Sequence, residues 1–198
     1  MNHFPISVNL SGKTVYLIGD GPQIRQKAEK MKPFEAVLTH KQTFTEADAR
    51  TAPAMVIVGD TDVAKAEEIA SLCGQYRIPV NVVDDQEYCD FVFPSYIAQG
   101  NLSIGICTNG ASPAAGVLLK RKILEQVPDN MEEILNFLHE KRPVIAKTLT
   151  DKKQRYKFYY ELSEICMRKN RPLTEDEFRR QLQWHVQSAK KNLQESKD

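Results

Sequence analysis

The sequence predicts an α/β fold, in which a Rossmann-like parallel sheet carries an antiparallel hairpin extension and is followed by a helical C-terminal region. Three observations support this prediction. An apolar run at residues 15–18 ends in a glycine-containing turn and leads into a helical pattern, which is typical of the first βαβ unit of a nucleotide-binding fold. Strand and helix patterns then alternate as far as residue 83, and helical patterns dominate after residue 112.

The first half of the chain predicts four strands and two helices. The strands are short β-rich runs, three of which end at Gly or Asp. The first helix is stopped by Pro33, and the second repeats apolar residues at mostly three- and four-residue spacing. Strands that alternate with helices of this length imply a parallel sheet with right-handed crossovers. The strands are predicted at Val15–Ile18, Glu35–Thr39, Met55–Val58 and Ile78–Val83, and the helices at Gln23–Lys32 and Val63–Gln75.

The second half begins with a predicted hairpin and continues with helices. Two β-rich runs, Phe91–Ala98 and Leu102–Cys107, are joined by Gln-Gly-Asn, which is a hairpin signal. A Ser-Pro pair then marks a helix start, and a Thr-Glu-Asp-Glu segment at residues 174–177 has the pattern of a capping box. The helices are predicted at Pro113–Gln126, Met131–Lys141, Pro143–Met167 and Thr174–Leu193.

Composition excludes several classes of protein. The 198 residues are 41% hydrophobic and 27% charged, with a formal net charge of +1. This balance gives no argument for nucleic-acid or membrane binding, and no run approaches the roughly 20 apolar residues of a membrane helix. The N-terminus lacks a signal-peptide pattern, so we expect a cytoplasmic protein. The four cysteines and four histidines are scattered, which predicts free thiols and no metal site.

The glycine turn is a candidate site for the pyrophosphate of a dinucleotide. Gly19 and Gly21 allow a tight turn, and Pro22 and Gln23 begin the next helix, whose positive N-terminus suits phosphate. However, Ile24 stands where the usual pattern has a third small residue, and no acidic residue clearly ends the second strand to hold a ribose hydroxyl. The turn alone is therefore consistent with a dinucleotide site and with a purely structural turn.

Three segments must be considered together. The first is Phe4-Pro5-Ile6 with Leu10 and the glycine turn. The second is Asn81-Val82-Val83-Asp84, followed by Asp90–Pro94. The third is Thr108–Pro113, which leads into a helix. In this order and spacing, they resemble the precorrin-2 dehydrogenase family, which forms the dehydrogenase module of siroheme synthases.

The resemblance implies a function and a domain plan. Members of this family oxidise precorrin-2 to sirohydrochlorin on the way to siroheme, with NAD as the hydride acceptor, and some also insert iron. They are homodimers. The resemblance implies a Rossmann-like NAD-binding domain with its hairpin extension at residues 1–111, a dimerisation region at residues 112–150 and a helical C-terminal region at residues 151–198.

The resemblance also implies which residues form the site. Asp84 would be the catalytic acid or base, at the end of a parallel strand where open α/β sheets place their ligands. The cofactor-binding residues would be Gly19, Gly21, Pro22, Gln23 and Thr43, and the substrate-binding residues would be Asn81, Asn109, Gly110 and Ser112.

Several of these residues also have structural interpretations. Ser112 before a proline is a strong helix cap, Asn81 suits a strand-edge hydrogen bond, and Asp84 suits a turn. In the C-terminal region, basic pairs alternate with glutamates, which favours a solvated face, and we expect Tyr156 and its apolar neighbours to pack the helices together.

Departures from the family pattern leave alternative functions open. We expect Ile24 to keep the first helix from packing close to its strand. Two extra carboxylates, Asp20 and one in the segment Gly59-Asp60-Thr61-Asp62, are expected to oppose pyrophosphate. A non-oxidising tetrapyrrole-binding protein and a sirohydrochlorin chelatase therefore stand beside the dehydrogenase as hypotheses.

Overall fold

A computed structural model of the chain describes residues 3–59 and 61–195, with side chains as far as residue 188. The chain forms two compact units, residues 1–94 and residues 95–198. The α/β fold class with a hairpin and a helical C-terminal region is confirmed. The division into three domains at residues 111 and 150 stays a prediction.

The first unit contains a four-stranded parallel sheet with strand order β2-β1-β3-β4. The strands are β1 (Thr14–Ile18), β2 (Val37–Lys41), β3 (Met55–Val58) and β4 (Val80–Val82). The central strands β1 and β3 are covered on both faces, which explains why they are continuous apolar runs. All four strands end at the same edge of the sheet, where the glycine turn and Asp84 follow β1 and β4.

Three helices cover the two faces of this sheet. Helix α1 (Pro22–Met31) packs on the face that carries Val15 and Leu17, and α2 (Glu46–Ala49) and α3 (Val63–Tyr76) pack on the face that carries Tyr16 and Ile18. The short α2 was not expected. It begins at Thr45, whose side chain and that of Asp48 form a reciprocal capping box.

The described residues of the second unit form an antiparallel hairpin and four helices. The hairpin pairs β5 (Ser95–Gln99) with β6 (Leu102–Ile106), as the sequence predicts. The helices are α4 (Pro113–Leu124), α5 (Met131–Thr148), α6 (Lys152–Lys169) and α7 (Glu175–Glu195). The capping box at residues 174–177 is confirmed, because Thr174 and Glu177 exchange side-chain and backbone hydrogen bonds. Within the described residues, no helix is long and apolar enough to cross a membrane.

Three local predictions are wrong. Residues 91–94 are not a strand, because Phe91 and Phe93 pack on the apolar face beneath α1 and Pro94 has no amide to donate. Helix α5 continues through Pro143, since Ile134 and Ile145 on either side of it are both fully buried. The boundary between the helices lies instead near Asp151, which caps the start of α6. Tyr156 is 73% exposed and does not pack the helices together.

Candidate functional site

The turn after β1 can be built only with glycine at its first position. Gly19 has φ +106°, and a Cβ there would lie 2.0 Å from the carbonyl oxygen of Gly59. The Gly19 amide donates to the carbonyl of Lys41 at 2.9 Å, and the Gly59 amide donates to that of Ile18 at 3.0 Å. The ends of β1, β2 and β3 are thereby joined tightly at the carboxyl edge of the sheet.

The start of α1 has the features of an anion site. Gly21 is the residue that caps the helix, Pro22 follows at the first turn, and none of residues 22–25 is acidic. No described side chain caps the helix, so the positive end of its dipole faces outward. Asp20 is exposed beside this end. Asp60 lies outside the described residues.

Ile24 does not hold α1 away from the sheet, contrary to our expectation. Its side chain is fully buried in the core beneath α1. The room for it comes from Gly59, where an added Cβ would lie only 3.1 Å from Ile24 Cδ1. The small residue that the usual pattern places in the helix is replaced here by a glycine at the end of β3.

Asp84 and Gln23 are brought into direct contact at the carboxyl edge of the sheet. Asp84 is exposed just after β4 and has φ +65°, a conformation that is uncommon for residues other than glycine and that asparagine and aspartate tolerate best. Gln23 Nε2 donates a hydrogen bond to Asp84 Oδ2 at 2.6 Å. The predicted catalytic residue is therefore bonded to the predicted cofactor helix.

Lys27 lies one helical turn beyond Gln23. It was not predicted from the sequence to be a site residue. Its ammonium nitrogen is 4.1 Å from the centre of the Phe93 ring, a cation–π contact. Burial and Lys30 lower the pKa of Lys27, while Cys89 and Asp84 act to raise it. A half-buried cation thus lies near Asp84, on the same side of α1 as Gln23. The four-residue spacing from Gln23 was the available sequence signal.

Asn81 is buried in β4 and holds the segment that follows Asp84. Its Nδ2 donates to the Phe91 carbonyl at 2.9 Å and contacts Cys89 Sγ at 3.3 Å. Its Oδ1 is buried without a hydrogen-bond partner among the described residues. The contact with Phe91 matches the strand-edge role, and a contact with substrate stays a prediction.

Cys89 and Asp90 cover the open edge of β4, a role the sequence did not reveal. The Cys89 thiol accepts from the Val82 amide at 3.2 Å and donates to the Val82 carbonyl at 3.1 Å. Asp90 accepts from the Val80 amide at 3.0 Å. Burial raises the pKa of Cys89, so this thiol is neutral at physiological pH. All four cysteines are free thiols, as predicted.

Thr43 lies after β2 and lines a surface cavity of about 320 Å³ between the start of α2 and α3. Thr45 and Lys65 line the same cavity. Close by, Lys41 Nζ binds Asp48 Oδ1 at 2.6 Å. Burial raises the pKa of Asp48, but hydrogen bonds from Lys41 and Thr45 outweigh it and hold that pKa below its ordinary value.

The other predicted substrate residues lie in the second unit, in the turn before α4. Asn109 and Gly110 have φ +50° and +81° and are exposed. Ser112 caps α4, because its Oγ accepts from the Ala115 amide at 3.2 Å. Thr108 Oγ1 bonds both the amide and the carbonyl of Ser112 and fixes the turn. The helix-cap role of Ser112 is confirmed, and its contact with substrate stays a prediction.

No cluster of three or more His, Cys, Asp or Glu residues that could hold a metal ion occurs in the part of the chain that the structure describes.

Comparisons with known proteins bear on this site. The profile of a family described as "Putative NAD(P)-binding" matches residues 30–95, which begin within α1 and extend past Asp84. The solved structure of "SirC, precorrin-2 dehydrogenase" aligns with a TM-score of 0.63 and 18% identity, over 93% of this chain and 100% of that one. That structural likeness concerns the fold.

Similar sequences identify the relatives. The siroheme synthase of Neisseria meningitidis serogroup C (strain 053442) is 26% identical over 180 residues, which cover 80% of this chain and 37% of that protein. The siroheme synthase of Psychrobacter cryohalolentis is 27% identical over 184 residues, 81% of this chain and 35% of that protein. These similarities agree with the resemblance of the chain to the precorrin-2 dehydrogenase family. It spans little more than a third of the length of these siroheme synthases.

Proposed function

We propose that this protein oxidises precorrin-2 to sirohydrochlorin in siroheme biosynthesis, with NAD as the hydride acceptor. The observation that carries the proposal is the 2.6 Å hydrogen bond between Gln23 and Asp84. It joins the helix that begins at the glycine turn to the carboxylate at the end of β4. This is the edge where open α/β sheets bind their ligands. The similarity to siroheme synthases and to a precorrin-2 dehydrogenase suggests the substrate and the cofactor.

The chain has residues that fit the dinucleotide. Gly19 and Gly21 permit a close backbone approach, and Pro22 and Gln23 open a helix whose positive end suits a pyrophosphate. Thr43 and the cavity beside it supply hydroxyl groups for the adenosine side. Bound NAD supplies an acceptor for the hydride that leaves the substrate.

Asp84 accepts the proton that oxidation releases. Converting precorrin-2 to sirohydrochlorin removes two hydrogen atoms, one as a hydride and the other as a proton, and a positioned carboxylate can take the proton. Gln23 holds one Asp84 oxygen, and the second oxygen of a carboxylate can accept the proton. Lys27 offers a half-buried cation beside this carboxylate, which suits a substrate that bears many carboxylates.

We further propose that the protein is a homodimer that contacts its partner through α4. Of the twelve residues in this helix, all described, only Gly116 is buried, although the helix is rich in apolar side chains. Val117, Leu118 and Leu119 are 62%, 44% and 45% exposed. An exposed apolar helix of this kind is typical of an interaction surface. A cytoplasmic location remains part of the same proposal.

Light scattering tests the dimer. Leu118→Glu should give a monomer, whereas Val63→Glu, which changes a valine that is 68% exposed on α3, should leave the dimer intact. A wild-type monomer would contradict this part of the proposal.

The test of the function pairs Asp84 with its neighbour. Asp84→Asn should lower the turnover of precorrin-2 with NAD by about 100-fold or more, since general-base catalysis contributes on that scale. NAD affinity, measured by calorimetry, should change little. Asp85→Asn is the control, because the Asp85 side chain accepts a hydrogen bond from the Glu87 amide at 3.1 Å, a bond that the amide oxygen of asparagine can also accept. The turnover of this variant should stay near that of the wild type. An active Asp84→Asn variant would reduce Asp84 to a structural role. Metal insertion into sirohydrochlorin with no need for NAD would favour a chelatase.

A further inference from the structure

Lys41 occupies the position from which Rossmann folds read the ribose of the nucleotide. In such folds, an acidic residue about 20 residues after the glycine turn binds the 2′-hydroxyl of NAD, and a nearby arginine accommodates the 2′-phosphate of NADP. Lys41 is the last residue of β2, and its carbonyl accepts from the Gly19 amide at 2.9 Å. A cation at this place, taken alone, would favour NADP.

Asp48 changes the charge at that position. It is only 8% exposed, and its Oδ1 binds Lys41 Nζ at 2.6 Å. Its Oδ2 accepts from the amide and the hydroxyl of Thr45, at 3.0 and 2.8 Å. The carboxylate is therefore held beside Lys41 by three contacts, two of which belong to its own helix cap.

We infer that the Lys41–Asp48 ion pair binds the 2′-hydroxyl of the adenosine ribose and makes the site select NAD over NADP. The inference rests on the proposed function. A lysine ammonium has three donors, and Asp48 Oδ1 accepts from this one, so further donors can meet a neutral ribose hydroxyl. A 2′-phosphate would add close to two negative charges next to the buried carboxylate, whose repulsion offsets the attraction to Lys41.

The other charges at this end of the sheet do not restore a phosphate site. Glu46, at the start of α2, is held by Arg50 at 2.6 Å and by the Tyr76 hydroxyl at 2.7 Å. Lys65, across the cavity, is accompanied there by Glu46 and Glu68. The lining of the cavity is therefore not positive, and it does not favour a dianion.

The test compares the two nucleotides directly. Dissociation constants for NAD and NADP are measured by calorimetry on the wild type, on Asp48→Asn and on Glu29→Gln as the control. Glu29 forms a pair of the same length with Lys32, at 2.6 Å, but both side chains are 65% exposed. The wild type should prefer NAD. Asp48→Asn, which keeps an oxygen for the Thr45 cap, should shift the ratio of affinities toward NADP by about tenfold, and the control should leave it unchanged.

Each outcome decides between the two proposals. An unchanged ratio in Asp48→Asn, with both nucleotides still bound, overturns the inference and leaves the proposed function standing. A wild type that binds neither nucleotide overturns the proposed function, and the inference with it. If melting curves show that Asp48→Asn does not fold, Lys41→Met asks the same question, because it removes the cation. That variant should shift the ratio further toward NAD, and an unchanged ratio would again overturn the inference.

Discussion

Adding a methyl group at Gly59 should destabilise the first unit, and shortening Ile24 should reverse part of the loss. In the structure, a Cβ on Gly59 would lie 3.1 Å from Ile24 Cδ1 and 3.2 Å from both Ile24 Cγ1 and Val83 Cγ2. Carbon atoms pack best at roughly 3.5–4.0 Å, so all three contacts are too short. Overpacking of this kind costs about 1–3 kcal/mol, and we expect Gly59→Ala to fall in that range.

Ile24→Val removes Cδ1, the atom closest to the added methyl group. Alone, it should cost about 0.5–1.5 kcal/mol, the usual cost of losing one buried methyl group. In the Gly59→Ala background, the space it leaves accommodates the new Cβ, so the double variant should be more stable than the sum of the single changes predicts, by about 1 kcal/mol. This coupling would show that the side chain of Ile24 occupies the space left by the absent side chain of Gly59.

Hydrogen exchange of the β1 and β3 amides measures the stability of the first unit directly. Gly74→Ala is the control, because a Cβ at this helical glycine has no atom within 4 Å and should stabilise α3 by about 0.5–1 kcal/mol. If Gly59→Ala does not destabilise the first unit, or if the costs of the Gly59 and Ile24 changes are additive, the packing argument is wrong.

Three further predictions concern single contacts. Gln23→Leu should lower kcat about tenfold through loss of its bond to Asp84, with a smaller change in NAD affinity, and an unchanged kcat would leave Gln23 without a positioning role. Cys89→Ala should destabilise by about 1–3 kcal/mol, because it leaves the amide and carbonyl at the edge of β4 unpaired. Cys89→Ser, which can still donate and accept, should cost less in thermal melts. Hydrogen bonds from Arg171, Lys169 and Thr174 hold the pKa of Glu177 well below its ordinary 4.5. The stability that this carboxylate gives is therefore full above pH 4.5 and lost as the pH falls below it. The gap in melting temperature between wild type and Glu177→Gln should close over that acid range, and a gap independent of pH would contradict the assignment.

The sheet could be predicted from the sequence because its central strands carry their own signal. Residues 15–18 and 55–58 are apolar at every position, and strands covered on both faces require this pattern. The location of the glycine turn and Asp84 at one edge of the sheet could be predicted as well, since parallel strands place their carboxyl ends at the same edge. That edge contains the bond between Gln23 and Asp84.

Other features depend on partners far apart in the chain, and local patterns do not reveal them. The fit of Ile24 depends on Gly59, which lies far along the chain, because α1 crosses the end of β3. No sequence motif marks the role of Cys89, since that role comes from the geometry of the strand edge that the residue covers. Pro143 was expected to begin a helix, but the burial of Ile145 keeps α5 continuous.

The most direct test of the central claim is to mix the purified protein with precorrin-2 and NAD and to record NADH and sirohydrochlorin by their absorbance. If the first unit is the dehydrogenase site, one NADH should form for each sirohydrochlorin. Precorrin-2 that remains unoxidised, together with no NAD binding by calorimetry, would contradict the account.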